Sequence, residues 1–175
     1  RKRMNNFIFE NKTKVYFGKR CVGEYLPKIA AMHGDKVLFA YGGGSIKKNG
    51  VYEEVIAALE KAGKTIIEFP GIMENPTYKK VLEGTKLVKE KQVDWILAVG
   101  GGSVMDCSKA ISMAAVSEKD VWDEYWAKKG VVDFEPMPLG VIVTASGTGS
   151  ECNGGAVITN EEVMIKTDRD YPKCN

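Results

Sequence analysis

Three stretches of the chain are apolar at nearly every position: Val37-Leu38-Phe39-Ala40-Tyr41, Trp95-Ile96-Leu97-Ala98-Val99 and Leu139-Gly140-Val141-Ile142-Val143. A strand with one wet face alternates polar and apolar residues. A continuous run fits a strand covered on both faces, as in a parallel sheet held between two layers of helices. Thr65-Ile66-Ile67-Glu68-Phe69 is a fourth, shorter candidate. Between these runs the apolar period changes to that of a helix. Val51, Val55, Ala58, Leu59 and Ala62 share one face, with Gly63 placed to end the helix. Tyr78, Val81, Leu82, Thr85 and Val88 form a second stripe, mildly interrupted by Gly84, and Asn75-Pro76 precedes it as a helix start. Ser103 to about Val116 is a third helix. A fourth spans about Val22 to Met32, with Pro27 expected in its first turn or at a kink.

This alternation predicts an α/β fold with a parallel sheet, flanking helices and right-handed crossovers. Lys14–Gly18 reads as an edge strand. Ala156–Lys166 reads as a hairpin turning at Asn160-Glu161-Glu162, and the residues after Lys166 are polar and patternless. The whole of 1–175 is expected to be one domain, with an N-terminal extension and edge-strand region at 1–13 and a truncated tail at 167–175.

Composition narrows the function classes. The charges nearly balance, 25 Lys and Arg against 23 Asp and Glu for a formal net charge of +2, so no basic surface for nucleic acid is expected. No apolar run approaches the roughly 18 residues that span a bilayer, so no membrane partner is expected. The basic N-terminus is not followed by the apolar stretch of a secretory signal. Cys21, Cys107, Cys152 and Cys174 are scattered without a CxxC pair, which fits free thiols in a reducing cytoplasm and makes a zinc site unexpected. His33 is the single histidine, so a His-rich metal centre is excluded from this chain alone. It reads as a helix-terminal surface residue.

Two of the apolar runs lead into the same device, Gly42-Gly43-Gly44-Ser45 and Gly100-Gly101-Gly102-Ser103. In open α/β sheets ligands collect beyond the C-terminal ends of the strands. Glycines there let an anionic group approach the backbone, and a following helix start supplies N–H groups and a partial positive charge. The second turn has the better helix entry: Ser103 can cap it, with Asp106 at the capping-box position. That local role for Asp106 stands beside a functional one. A third loop, Thr144-Ala145-Ser146-Gly147-Thr148-Gly149-Ser150-Glu151, offers hydroxyls to ribose or phosphate, or is an ordinary loop with Ser150 as a cap. Neither glycine turn is a GxxxxGK[ST] loop, and a GxGxxG fingerprint is not cleanly present.

Taken in order, Tyr-Gly-Gly-Gly-Ser-Ile-Lys-Lys-Asn-Gly (41–50), Asn-Pro-Thr (75–77), Gly-Gly-Gly-Ser-Val-Met-Asp-Cys-Ser-Lys (100–109) and Thr-Ala-Ser-Gly-Thr-Gly-Ser-Glu (144–151) resemble the N-terminal half of the iron-containing alcohol dehydrogenase family, in its NADPH-dependent butanol dehydrogenase branch. The resemblance implies a Rossmann-like coenzyme domain, like the N-terminal domain of dehydroquinate synthase. In complete members it joins a helical domain whose one Asp and three His hold iron or zinc. It matches Gly101, Gly102 and Ser103 to a pyrophosphate turn and Asp106 to an aspartate near the nicotinamide, the catalytic candidate. Thr144, Thr148 and Asn75 match coenzyme contacts, and Lys166 a lysine near the nicotinamide ribose. The metal ligands lie in the helical domain, so this chain is expected to bind the coenzyme but no metal. It would carry the coenzyme half of an enzyme passing hydride between NADP(H) and a small alcohol or aldehyde, inactive alone and self-associating in complete relatives through the Lys14–Phe17 region. A non-catalytic nucleotide-binding fragment and a glycerol dehydrogenase-like polyol oxidoreductase are the alternatives.

Coenzyme choice has a physical handle. Gly42 to Ser45 carry no carboxylate to repel a 2′-phosphate, Ser45 can donate to one, and Lys47 and Lys48 add positive charge. NADP(H) is therefore expected over NAD(H). The two lysines can equally be a solvated helix approach, and Glu68, at the end of the next strand, keeps NAD(H) open.

Overall fold

The computed structural model describes residues 11–170. Its centre is a four-stranded sheet of β1 (Lys36–Tyr41), β2 (Thr65–Phe69), β3 (Trp95–Gly100) and β4 (Leu139–Val143), in the spatial order β2-β1-β3-β4. Every pairing is parallel, with Tyr41 beside Val99 and Val99 beside Ile142. These are the strands that the apolar runs predict. All residues of β3 are buried, as is β1 from Val37 onward.

Alternate residues of one strand feed two different cores, which is why the runs are continuous. Val37, Phe39 and Tyr41, with Trp95, Leu97 and Val99, pack against Leu26 and Ala30 of α1 (Cys21–Ala30) and Val55, Ala58 and Leu59 of α3 (Val51–Lys61). A short helix, α2 (Ser45–Lys48), adds Ile46 to that face. Leu38, Ala40, Ile96 and Ala98 face the opposite layer, where Val81 and Val88 of α4 (Tyr78–Lys91) and Ile111 and Met113 of α5 (Gly102–Ala114) cover them. Gly84 lies inside the α4 stripe rather than interrupting it. A Cβ there would stand 2.4 Å from Ile111 Cδ1, so α4 and α5 approach closely at this glycine and any side chain would have to displace Ile111. Leu82, assigned to the stripe by spacing, is instead 47% exposed.

A wide helical turn, Trp122–Ala127, buries Trp122, Tyr125 and Trp126 against the α5 side. A two-stranded antiparallel hairpin, β5 (Gly155–Asn160) and β6 (Ile165–Asp170), closes the described chain. Pro76 O accepts from Thr159 N–H at 3.0 Å and ties β5 to the loop before α4.

Four local expectations are corrected. Lys14–Gly18 forms no strand: it pairs with neither edge strand, β2 or β4, and Tyr16 instead packs its ring on Tyr25 of α1, 4.9 Å between centroids. Pro27 sits in the second turn of α1, where the helix continues through it to Ala30. The polar stretch after Lys166 is strand as far as Asp170: β6 is held by its backbone ladder to β5, so it needs no apolar pattern. His33 is only half-exposed, its ring stacked on Trp95 at 5.2 Å. The segments 1–10 and 171–175, which include Cys174 and Tyr171-Pro172-Lys173, lie outside the described residues.

Cys21 and Cys152 are partly accessible, whereas Cys107 is fully buried in α5 and burial pushes its thiol up to about 12. Because the thiolate is the reactive form, iodoacetamide at pH 8 is expected to alkylate Cys21 and Cys152 and spare Cys107 in the folded chain. Peptide mass analysis showing Cys107 modified as fast as the other two would contradict this packing.

Candidate functional site

The connection leaving β1 runs to β2 on one side, and the chain then returns through α4 to β3 on the other side of β1. The β1–β3 boundary is thus the switch point of the sheet, where ligands of open α/β folds sit. Both glycine turns are there, side by side, because Tyr41 and Val99 are register partners.

The turn after β3 opens directly into α5. Gly101, in extended conformation, is the N-cap and contributes no side chain. The first intrahelical bond is from Val104 N–H to Gly101 O at 3.1 Å, so the N–H groups of Gly102 and Ser103 precede the helix ladder and point out of its positive end. A Cβ on Gly102 would come within 2.8 Å of Thr148 Cγ2. Ser103 does not cap the helix as its sequence position suggests. The turn after β1 is built differently. Gly44 has φ 108°, a left-handed conformation that favours glycine, and the N–H of Gly71 donates to Gly42 O at 3.1 Å. Ser45, Lys47 and Lys48 on α2 are exposed.

A cleft of about 620 Å³ lies between the start of α5, the 148–153 loop and the β5–β6 hairpin. Asn75, Gly102, Ser103, Asp106, Thr148 and Lys166 all line it. Asn75 and Lys166, 91 positions apart, touch: Lys166 Nζ donates to Asn75 Oδ1 at 2.5 Å. Gly42 to Ser45, Lys47 and Lys48 stand at the neighbouring strand tip, outside the cleft wall. Gly100 and Thr144 continue the β3–β4 ladder, Thr144 N–H donating to Gly100 O at 3.0 Å, and line no part of it.

Asp106 is not a capping-box partner. One carboxylate oxygen accepts from Ser150 Oγ at 2.7 Å and the other from Val157 N–H at 3.0 Å, so the helix, the loop and the hairpin are joined through this side chain. Ser150 is likewise not a cap, since Gly149 holds that position. Its hydroxyl and carbonyl also take bonds from Lys109 Nζ, at 3.0 and 2.6 Å, and Lys109 Nζ donates further to Gly155 O at 2.9 Å. Lys109 is 1% exposed. Sequence reasoning gave it no role, and the one available signal was its i, i+3 spacing from Asp106, which sets both on one face of α5.

On the far side of the first turn, Glu68 accepts from Tyr41 Oη at 2.5 Å and from Tyr52 Oη at 2.8 Å. Lys47 Nζ lies above both rings, 5.4 and 4.6 Å from their centroids. The Tyr41 bond, then the Tyr52 bond and the Lys47 charge, outweigh partial burial and lower the Glu68 pKa. Burial first, then the bond to Glu68, raises that of Tyr41.

An open parallel sheet with glycine turns at its switch point is a Rossmann-like α/β domain. The model of one family, iron-containing alcohol dehydrogenase, matches residues 12–174, and the chain belongs to that family. The probable NADH-dependent butanol dehydrogenase 1 of Bacillus subtilis is 45% identical over 163 residues, 93% of this chain and 41% of the relative. The NADPH-dependent aldehyde reductase YqhD of Escherichia coli is 40% identical over 90% of this chain and 40% of its own length. The crystal structure of NADH-dependent butanol dehydrogenase A from Thermotoga maritima superposes with a TM-score of 0.87 at 41% identity, covering 98% of this chain and 42% of that one. The chain therefore spans about two-fifths of the length of the curated relatives it matches.

The residues at the switch point fit a nicotinamide dinucleotide. Helix-start N–H groups, a glycine where any side chain would fill the space, and the Ser103 and Thr148 hydroxyls form an anion-binding donor set. Among the described residues no three His, Cys, Asp or Glu side chains stand together to hold a metal. Nor is any helix of the described residues long and apolar enough to cross a membrane.

Proposed function

We propose that this chain is the coenzyme-binding part of an alcohol dehydrogenase or aldehyde reductase acting on small, butanol-like alcohols or their aldehydes, with NADP(H) favoured over NAD(H). The observation that carries this reading is the opening of α5 at Gly102 and Ser103 into a cleft that also holds Asp106, Thr148, Asn75 and Lys166. Relatives named for NADH- and NADPH-dependent reactions support the coenzyme class and leave the choice within it to the residues.

When bound, the coenzyme supplies or takes up hydride at C4 of its nicotinamide ring. The chain's own residues bind and orient. The N–H groups of Gly102 and Ser103 would receive the diphosphate, where helix polarity adds to the hydrogen bonds. Thr148 would flank the diphosphate, and Asn75 with Lys166 would bound the ribose of the reacting end. Asp106, held by Ser150 and Val157, would face that end as a fixed carboxylate. Such rigidity matters because hydride transfer needs the reacting carbons near contact distance. The preference for the phosphorylated coenzyme rests on Gly42 to Lys48: no carboxylate, one hydroxyl at Ser45, and two exposed lysines.

Calorimetric titration of the chain with NADPH and with NADH tests both parts. Binding of both, tighter for NADPH, is the expected outcome. Absence of binding would overturn the coenzyme role, and tighter NADH would overturn the preference.

A further inference from the structure

The sequence leaves one conflict at the coenzyme's adenosine end. Glu68 stands near the end of β2, beside the first glycine turn, where an acidic side chain ordinarily accepts from the ribose hydroxyls of NAD and repels a 2′-phosphate. The neighbouring Ser45, Lys47 and Lys48 point the other way. Geometry resolves the conflict. Each Glu68 oxygen already accepts a phenol hydroxyl, one from Tyr41 at the tip of β1 and one from Tyr52 in the first turn of α3. Lys47 closes the group from above, over both rings.

We propose that Tyr52, together with Tyr41, is a determinant of coenzyme choice, acting by occupying one acceptor site on each oxygen of Glu68 so that this carboxylate is a weaker acceptor for a ribose 2′-hydroxyl and a weaker repeller of a 2′-phosphate. The assignment deepens the NADP(H) reading and rests on it. Two charge-assisted hydrogen bonds spread the carboxylate charge over the phenols. Lys47 sits over the electron-rich faces of both rings and holds its positive charge above the group. Without the Tyr52 hydroxyl, Oε1 of Glu68 is released toward the neighbouring turn. It then offers an acceptor to a ribose hydroxyl and an unshared charge to a phosphate. Tyr52 thus acts through Glu68 and is a positioning residue.

The test is a double-mutant cycle read by coenzyme binding. NADPH and NADH are titrated into the chain and into its Tyr52→Phe, Glu68→Gln and doubly substituted forms, and the ratio of the NADH to the NADPH dissociation constant is compared. Tyr52→Phe is expected to lower that ratio about threefold to tenfold, the worth of one hydrogen bond to a partly solvated charge. Glu68→Gln is expected to move it less than about twofold, and Tyr52→Phe to have no effect when combined with Glu68→Gln. Tyr41→Phe is the parallel variant, expected to move the ratio the same way, and it stands in should Tyr52→Phe not fold. The assignment is overturned if neither phenylalanine variant lowers the ratio, or if the drop persists in the Glu68→Gln background. The wild-type ratio reports separately on the NADP(H) reading: a value below one defeats that reading, whatever the cycle shows about Tyr52 and Glu68.

Discussion

Lys109→Met is expected to destabilise the chain by about 3 kcal/mol, lowering its thermal midpoint by roughly 6–12 °C. Removing a buried ammonium relieves its own desolvation cost, so the sign must be argued. Methionine fills similar space but donates nothing. The carbonyls of Ser150 and Gly155, which take bonds of 2.6 and 2.9 Å from Nζ, lose this donor inside the fold. A buried acceptor stripped of its partner costs about 1–3 kcal/mol, and two carbonyls, a hydroxyl and the Asn153 amide oxygen are affected together. That loss outweighs the relief, because only one member of the network is replaced. Lys109→Arg does not restore it, since a planar guanidinium cannot converge on the same oxygens. Calorimetric unfolding reads the difference. A midpoint within about 2 °C of wild type would mean that the 150–155 loop is held by something other than this ammonium.

Gly102→Val is expected to leave the fold nearly unchanged and to weaken dinucleotide binding by roughly 100-fold. Its Cβ would meet Thr148 Cγ2 at 2.8 Å and Oγ1 at 3.0 Å. Thr148 lies on an exposed loop able to shift, so the stability cost should stay near 1 kcal/mol or below. The diphosphate has no such freedom. An isopropyl group at the first residue of α5 occupies the approach to the N–H groups, and two charge-assisted bonds lost at about 1.4 kcal/mol each amount to two decades. The two substitutions separate the roles of neighbouring parts of one cleft. Lys109 should matter to stability, Gly102 to binding. Equal NADPH affinity in the valine variant would remove the α5 entry from the site.

The two central strands, β1 and β3, were legible because burial on both faces imposes a continuous apolar run, while the edge strands β2 and β4, only partly buried, still kept enough apolar positions to be read. The second hairpin strand was legible only at its start, Ile165-Lys166. Beyond Lys166, Thr167-Asp168-Arg169-Asp170 carries no apolar signal because it is held by its ladder to β5 and stays largely exposed. Lys14–Gly18 misled in the opposite direction, since Val15, Tyr16 and Phe17 look like strand residues but pair with no strand, Tyr16 packing instead on α1. At the site, the glycine turns could be read from sequence because strand-to-glycine-to-helix is a local arrangement. The setting of Asp106 could not. Its spacing from Ser103 fits a capping box equally well, and its actual partners, Ser150 and Val157, are brought to it only by the 148–153 loop and the hairpin. Lys109 was passed over for a related reason. A lysine in a helix ordinarily faces water, and only the fold reveals the loop carbonyls that enclose this one. The engagement of Glu68 by two phenols was equally hidden, because Tyr41, Tyr52 and Glu68 belong to three separate elements.

Crystals of the chain soaked with NADPH put the account to its most direct trial. The diphosphate should appear against the N–H groups of Gly102 and Ser103, with the adenosine phosphate beside Ser45 and Lys47. Density for the coenzyme elsewhere, or turns left empty by a crystal whose lattice keeps the cleft open, would contradict it.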